Sequence, residues 1–162
     1  MSRWLLVARP LSIAKTYRKG LNEMKALTFS DLQEGMELEK LEKPPVDRVQ
    51  LVKYAGASGD FNPLHTVDSF AQSAGLDGVI AHGMLSMGFL GQYVRALVGV
   101  NADIKQIKVR FQRMVKPGDV LTCQGKVTAL NSEEKTATFE IAAVNQNGET
   151  VTKGSAQVKF FS

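Results

Sequence analysis

Histidine is scarce in this chain of 162 residues: there are two, His65 and His82, 17 positions apart. Cysteine is scarcer still, since Cys123 stands alone and leaves no partner for an intrachain disulfide. A lone cysteine fits a reducing compartment such as the cytoplasm. Neither CxxC nor HExxH occurs, and the histidine spacing is not that of a zinc finger, so no metal site is expected. No apolar run reaches the length of a membrane-spanning helix, which argues against stable membrane insertion. Residues 1–22 contain five basic side chains (Arg3, Arg9, Lys15, Arg18, Lys19) and no acid. The formal +4 of the chain less those five charges leaves −1 for the rest. A nearly neutral body gives no support for nucleic-acid binding.

What is present is ordinary for one soluble globular domain, with 44% hydrophobic and 22% charged residues. The basic leader, residues 1–23, is read as a disordered segment or a product of start-site choice, because MKALTFSDLQEGMEL from Met24 reads as a natural opening. Organellar targeting by an Arg-rich, acid-poor leader and a membrane-touching helix are the competing readings. Residues 24–162 are expected to form a single domain.

FSDLQEGMELEKL suits a helical turn and a first strand, broken by Pro44 and Pro45. Asp47 is a good helix N-cap, and Val49, Leu51, Val52 and Tyr54 have helical spacing, with Gly56 and Gly59 ending the helix. VDSFAQSAGL reads as a second short helix ended by Gly75. Residues 84–99, MLSMGFLGQYVRALVG, are apolar on nearly every side and hold no carboxylate. Such a helix is expected to be buried all round, at the centre of a sheet. Gly88 and Gly91 within it each cost about 1 kcal/mol relative to Ala, for which a close backbone approach would compensate. From Ile104 the pattern changes to period two: Ile107, Val109 and Phe111 alternate with Lys108, Arg110 and Gln112. A turn at 116–119, the strands VLTCQGKVTAL and TATFEIAAV, an Asn147-Gly148 hairpin and TVTKGSAQVKFF complete an α+β pattern. Cys123 falls inside a strand and is expected in the core. Lys108, Arg110, Arg113 and Lys116 could meet phosphates, but a solvated strand face accounts for them equally.

The segment GDFNPLH, Gly59 to His65, concentrates the chemistry. It places a carboxylate, Asp60, five positions from an imidazole, His65, the side chain best suited to proton transfer near neutral pH. With about 1 in 20 per position, the five fixed types of G-D-x-N-P-x-H match a given start roughly once in three million tries. Helix cannot easily run through Asn62–Pro63, so the segment is a loop. Asn62 is expected to support that loop and Pro63 to stiffen it. His82 lies in VIAHGML, where His82-Gly83-Met84 opens the long helix. The Gly83 N–H has no intrahelical partner and no side chain beside it, which makes it a candidate oxyanion donor or simply a helix-start residue. His82 is expected to be packed and hydrogen-bonded behind the site.

YAGASGDFNPLH followed by VIAHGMLSMGFLG resembles the signature of MaoC-like dehydratases and (R)-specific enoyl-CoA hydratases. The resemblance runs from Met24 to the C-terminus and implies a hot-dog fold, an antiparallel sheet wrapped around a long central helix. It implies Asp60 and His65 as the catalytic pair, reversible hydration of 2-enoyl thioesters to (R)-3-hydroxyacyl thioesters, and an acyl group carried on coenzyme A or acyl carrier protein, with no further cofactor. Exposed strand edges, for which VLTCQGKV and TATFEIAAV with few charges and no proline are the candidates, predict a homodimer or a tetramer of such dimers. Two other classes compete: a hot-dog acyl-CoA thioesterase, which often carries a carboxylate on or near the central helix, and a non-catalytic acyl-thioester-binding subunit.

Overall fold

A computed structural model describes residues 24–161, so the leader 1–23 lies outside the described residues. A 3₁₀ turn (Phe29–Asp31) precedes strand β1 (Glu37–Glu42). Helix α1 (Arg48–Ser58), a 3₁₀ turn (Pro63–His65), helix α2 (Asp68–Ser73) and helix α3 (Gly83–Val98) follow. Four strands complete the chain: β2 (Ala102–Phe111), β3 (Thr122–Asn131), β4 (Thr136–Val144) and β5 (Thr150–Phe160). All pairings are antiparallel, in the order β1-β3-β4-β5-β2. The sheet curls about α3, which touches all five strands. This is the expected hot-dog arrangement, and its core lies between α3 and the inward faces of the strands.

Local chemistry explains the boundaries. The Asp47 carboxylate accepts from Gln50 N at 2.7 Å, capping α1. Gly59 ends that helix in the left-handed region (φ 73°), where a side chain would be strained. Gly56, expected to share that role, sits inside the helix. The buried face of α1 is Leu51 and Ala55, while Val49 and Val52 are exposed. The hairpin at Asn147-Gly148 and the turn at 116–119 form as expected, with Gly148 and Gly118 both at positive φ. Cys123 is buried in β3, and burial pushes its thiol up to about 12.

Three expectations are corrected. First, α3 is not buried all round. Leu85, Ser86, Phe89, Leu90, Tyr93, Val94, Leu97 and Val98 face inward. Met84, Gly88, Gln92 and Arg95 form an exposed stripe within this chain, because glycine offers no apolar surface and two of the four are polar. Second, Gly88 and Gly91 mark no close backbone approach. A Cβ on Gly88 would meet nothing within 4 Å, and one on Gly91 only the tip of Ile107 at 3.8 Å. The close approaches lie in the sheet, where a Cβ on Gly125 would fall 2.7 Å from Glu140 O and one on Gly154 would overlap the Lys108 carbonyl. Third, VLTCQGKV and TATFEIAAV are interior strands, paired on both sides as β3 and β4. The sheet edges are β1 and β2.

Candidate active site

The loop after α1 is folded by its own polar atoms. Asn62 N donates to Asp60 Oδ1 (3.2 Å), and Asn62 Oδ1 accepts from Leu64 N (3.1 Å). Pro63 then opens the 3₁₀ turn that ends at His65, where its missing N–H costs nothing. Asn62 thus bonds within the turn between Asp60 and His65 through both its backbone N–H and its side-chain oxygen.

The strand-like approach to α3 is pinned beside this loop. Ile80 N donates to Leu64 O (3.1 Å) and Ala81 N to Val115 O (2.7 Å). Val79 N donates to Asp68 Oδ1 (3.1 Å), and Arg48 Nη2 donates to the same carboxylate at 2.8 Å. The Arg48 hydrogen bond, helped by Val79 N–H, holds the Asp68 carboxyl below the usual carboxylate range. Residues 79–82 are thus tied to α1, α2 and the segment after β2 at once.

These ties bring the expected residues together. His65 Nδ1 lies 2.8 Å from Ile80 O, so Nδ1 carries the proton and Nε2 is left facing the carboxylate. Asp60 Oδ2 is 4.0 Å from His65 Nε2 and 3.9 Å from His82 Nε2. His82 Nε2 donates to the Asp60 carbonyl at 3.0 Å. The Asp60 side chain is 53% exposed, while those of His65 and His82 are 12% and 2% exposed. A solvent-facing carboxylate thus stands in front of two sheltered imidazoles. Behind them Tyr54 packs on His82 with ring centroids 5.0 Å apart.

Asp60, His65 and His82 each offer a ligand atom to a common point, all within 4.8 Å of one another. A metal there would take the His82 Nε2 that now donates to the Asp60 carbonyl. The two rings lie 27° from parallel, with His65 Nε2 and His82 Nε2 at 4.0 and 3.9 Å from the same Asp60 oxygen.

The loop opens on a cleft of about 600 Å³, lined by His65, His82, Gly83, Ser86, Phe111 and Met114 among others. Gly83 is the first residue of α3, so its N–H is unclaimed by the helix and lies at the positive end of the helix dipole. A Cβ on Gly83 would stand 3.3 Å from the Phe111 ring, so the bare glycine leaves room for that aromatic wall. Arg113 and Lys116 stand on the cleft rim, paired with Glu149 (3.4 Å) and Asp77 (2.6 Å). The Asp77 hydrogen bond raises the Lys116 ammonium above its ordinary value. Lys108 and Arg110 do not reach this cleft. They border a separate hollow on β2 and β5 with Lys153.

Phe111, Met114 and Ser86 were not singled out from the sequence as cleft residues. Phe111 is the last inward position of an alternating strand, and nothing in its local pattern sets it apart from Ile107 or Val109. Only the register of β2 against the start of α3 puts it at the site.

Residues 31–150 match the MaoC like domain. An (R)-specific enoyl-CoA hydratase of Rhodospirillum rubrum is 32% identical over 131 residues, covering 80% of this chain and 89% of that protein. A 3-hydroxybutyryl-CoA dehydratase of Methylorubrum extorquens is 29% identical over 140 residues, covering 86% of this chain and 87% of that one. Among solved structures, an (R)-hydratase from A. caviae involved in PHA biosynthesis aligns with a TM-score of 0.72 at 28% identity, over 80% of this chain and 97% of that chain.

Proposed function

The chain belongs to the MaoC-like domain family, and we propose that it catalyses the reversible addition of water to 2-enoyl thioesters, giving (R)-3-hydroxyacyl thioesters. The observation that carries this reading is the 4.0 Å gap between Asp60 Oδ2 and His65 Nε2, the spacing at which one water can bridge both atoms. Asp60 acts as the principal base and His65 as its partner. The carboxylate and the Nε2 lone pair each hold one hydrogen of the water, aiming its oxygen at C3 of the substrate. As the C3–O bond forms, one O–H bond of the water breaks, and that proton returns from the pair to C2. Dehydration runs the same steps backward. The charge that develops on the thioester oxygen is received by the Gly83 N–H at the start of α3.

The substrate is an acyl group on coenzyme A or acyl carrier protein, with the cleft above Gly83 taking its reactive end. The protein works as a homodimer, or a tetramer of dimers, in a reducing compartment consistent with its single buried thiol, the cytoplasm.

Incubation with crotonyl-CoA tests the reading. Loss of the conjugated enoyl-thioester absorbance without release of free thiol is the expected result. Thiol release would assign a thioesterase, and no change in either signal would assign a non-catalytic binding subunit; each result would overturn hydration.

A further inference from the structure

Lys43, His82, Ser86 and Thr152 are the polar or charged side chains buried among the described residues. Two of them meet. Ser86, on the inward face of α3, and Thr152, on the inward face of β5, have their hydroxyl oxygens 2.7 Å apart. Ser86 Oγ also donates to the Gly83 carbonyl at 2.7 Å. A hydroxyl carries one hydrogen. Ser86 spends its own on Gly83, so Thr152 donates to Ser86. The direction of the chain is fixed: Thr152 to Ser86 to Gly83 O.

The interior does not require this arrangement for stability. Two apolar groups of the same shape would serve about as well, since paired hydroxyls gain little over their hydration. A serine bonded back into its own helix does not stabilise that helix. What the pair adds is a link from the sheet to one peptide of α3, and that peptide belongs to Gly83.

Glycine is the residue whose backbone is least self-restrained. The peptide before Gly83 is held by Leu85 N, which donates to His82 O at 3.0 Å. Because the peptide is planar and trans, fixing that carbonyl aims the Gly83 N–H out of the helix end, opposite to it. The peptide after Gly83 is held by Ser86. With both clamped, neither dihedral of Gly83 is free to swing the N–H. Thr152 also lies opposite Phe111 in the β2–β5 register, so the strand position that anchors the tether also carries the aromatic wall packed over Gly83.

We propose that Ser86 and Thr152 are positioning residues that hold the Gly83 N–H at the angle needed for the thioester oxygen, acting through the backbone and touching no reacting atom. The inference rests on the reading of Gly83 as the oxyanion donor of an enoyl-thioester hydratase.

The test compares Ser86→Ala, Thr152→Val, the double variant and Thr152→Ser in crotonyl-CoA hydration and in thermal melts, with Asp60→Asn alongside. Ser86→Ala strands the buried Thr152 hydroxyl and loses thermal stability, whereas Thr152→Val leaves Ser86 its hydrogen bond to the Gly83 carbonyl and loses less; the double variant strands neither and regains stability relative to Ser86→Ala. Turnover is expected to separate from stability. Ser86→Ala and the double variant lose about tenfold in kcat with KM little changed, the mark of an interaction made in the transition state. Thr152→Ser, which keeps the hydroxyl, restores wild-type kcat. A double variant whose kcat recovers together with its melting temperature would show the pair to be purely structural and overturn the inference. So would wild-type kcat in Ser86→Ala. If the wild-type protein does not hydrate crotonyl-CoA, the hydratase reading falls first; if it does, and Asp60→Asn is inactive while Ser86→Ala turns over normally, only the positioning role falls.

Discussion

The imidazoles of His65 and His82 lie face to face, with ring centroids 3.7 Å apart and planes 27° from parallel. The pairing divides labour between two residues that look alike in the sequence. His65 spends Nδ1 on Ile80 O and keeps Nε2 toward the carboxylate. His82 spends Nε2 on the Asp60 backbone and is buried behind. Its Nδ1 has no hydrogen-bond partner among the described residues, so one acceptor lone pair goes unused there. His82 is accordingly a support for the loop, and its ring is the floor on which His65 rests.

His82→Phe preserves an aromatic floor but removes the donor to the Asp60 carbonyl. The orphaned carbonyl costs about 1–3 kcal/mol, and loosening the loop lowers kcat by about tenfold or more. His82→Gln, whose amide can reach the same carbonyl, retains more of both. Melting curves and crotonyl-CoA turnover on the two variants check this. Equal behaviour of Phe and Gln would mean that the donor is irrelevant.

Asp60→Asn and His65→Ala are each expected to lower hydration by about 10²–10⁴-fold, the usual contribution of a general acid–base group. Both sit on a loop outside the α3–sheet core, so melting temperatures change little. Asparagine at position 60 still accepts from Asn62 N, which isolates the lost proton acceptor from the turn it helps to shape. Near wild-type kcat/KM in either purified variant would remove the pair from the mechanism.

The acid, the imidazole and their turn were legible because GDFNPLH builds a loop from its own short-range bonds. Asp47 and Gly59 were legible for the same reason: a cap and a left-handed terminus are local. His82 was legible as a neighbour in sequence of Gly83, but its contact with Asp60 depends on ties across 22 positions that no local pattern encodes. Hydrophobic composition does not tell an interior strand from an edge, so β3 and β4, paired along both edges, carry a pattern that reads equally well as an open one. Lys43 was not singled out, since a lysine beside Pro44-Pro45 reads as surface, yet it is 1% exposed, with Nζ 2.6 Å from Gln92 Oε1.

Gly83→Ala keeps the N–H but adds a Cβ 3.3 Å from the Phe111 ring. That ring is 47% exposed and can yield, so the variant folds. It yields across the cleft, and hydration falls by about tenfold as the thioester is misplaced. Adding Phe111→Ala to Gly83→Ala removes the clash and is expected to recover part of the loss. A double variant no better than Gly83→Ala would mean that the contact with Phe111 is not the cause.

Three buried groups give stability an alkaline signature. Burial lowers the Lys43 ammonium from 10.5 to about 8. Its folded value is depressed, so the unfolded chain binds more protons between pH 8 and 10.5, and stability rises with pH across that window. Burial raises the Cys123 thiol from 9.0 to about 12. Its folded value is raised, so its contribution is intact below pH 9 and is lost as pH climbs toward 12. The buried Tyr93 phenol, also raised by burial, adds loss from about pH 10 upward. Denaturant melts are therefore expected to show a rise from pH 8 to 9, a flat stretch where the lysine and thiol oppose each other, and a fall from about pH 10 upward. Lys43→Met removes the rise, and Cys123→Ala removes the part of the fall that begins at pH 9. Unchanged slopes in these variants would show that the two groups titrate normally in the folded protein.

The open edges of the sheet bear on the assembly. β1, six residues long, carries Glu37, Glu39, Lys40 and Glu42 and has an irregular register against β3, features that discourage a second strand from pairing there. β2 is ten residues long and regularly paired with β5 from Gln106 to Phe111, which leaves a long row of backbone groups open on its other side. Large apolar side chains are exposed beside it: Phe111 and Met114 line the cleft, and Phe61 and Met84 adjoin Asp60 and Gly83. Joining two β2 edges about a two-fold axis would pair the open backbone and cover part of this surface in one closed contact. The expectation is a homodimer, or a tetramer of dimers, at low micromolar concentration by size-exclusion chromatography with light scattering. Dimerisation through β2 also places the cleft beside the partner. Charge reversal at Lys108 and Arg110 on that strand should then weaken the dimer and lower activity together, while reversal at Glu37 and Glu39 on β1 should do neither. A monomer with full hydratase activity would overturn the dimer, and a dimer indifferent to the β2 variants and broken by the β1 variants would place the interface elsewhere.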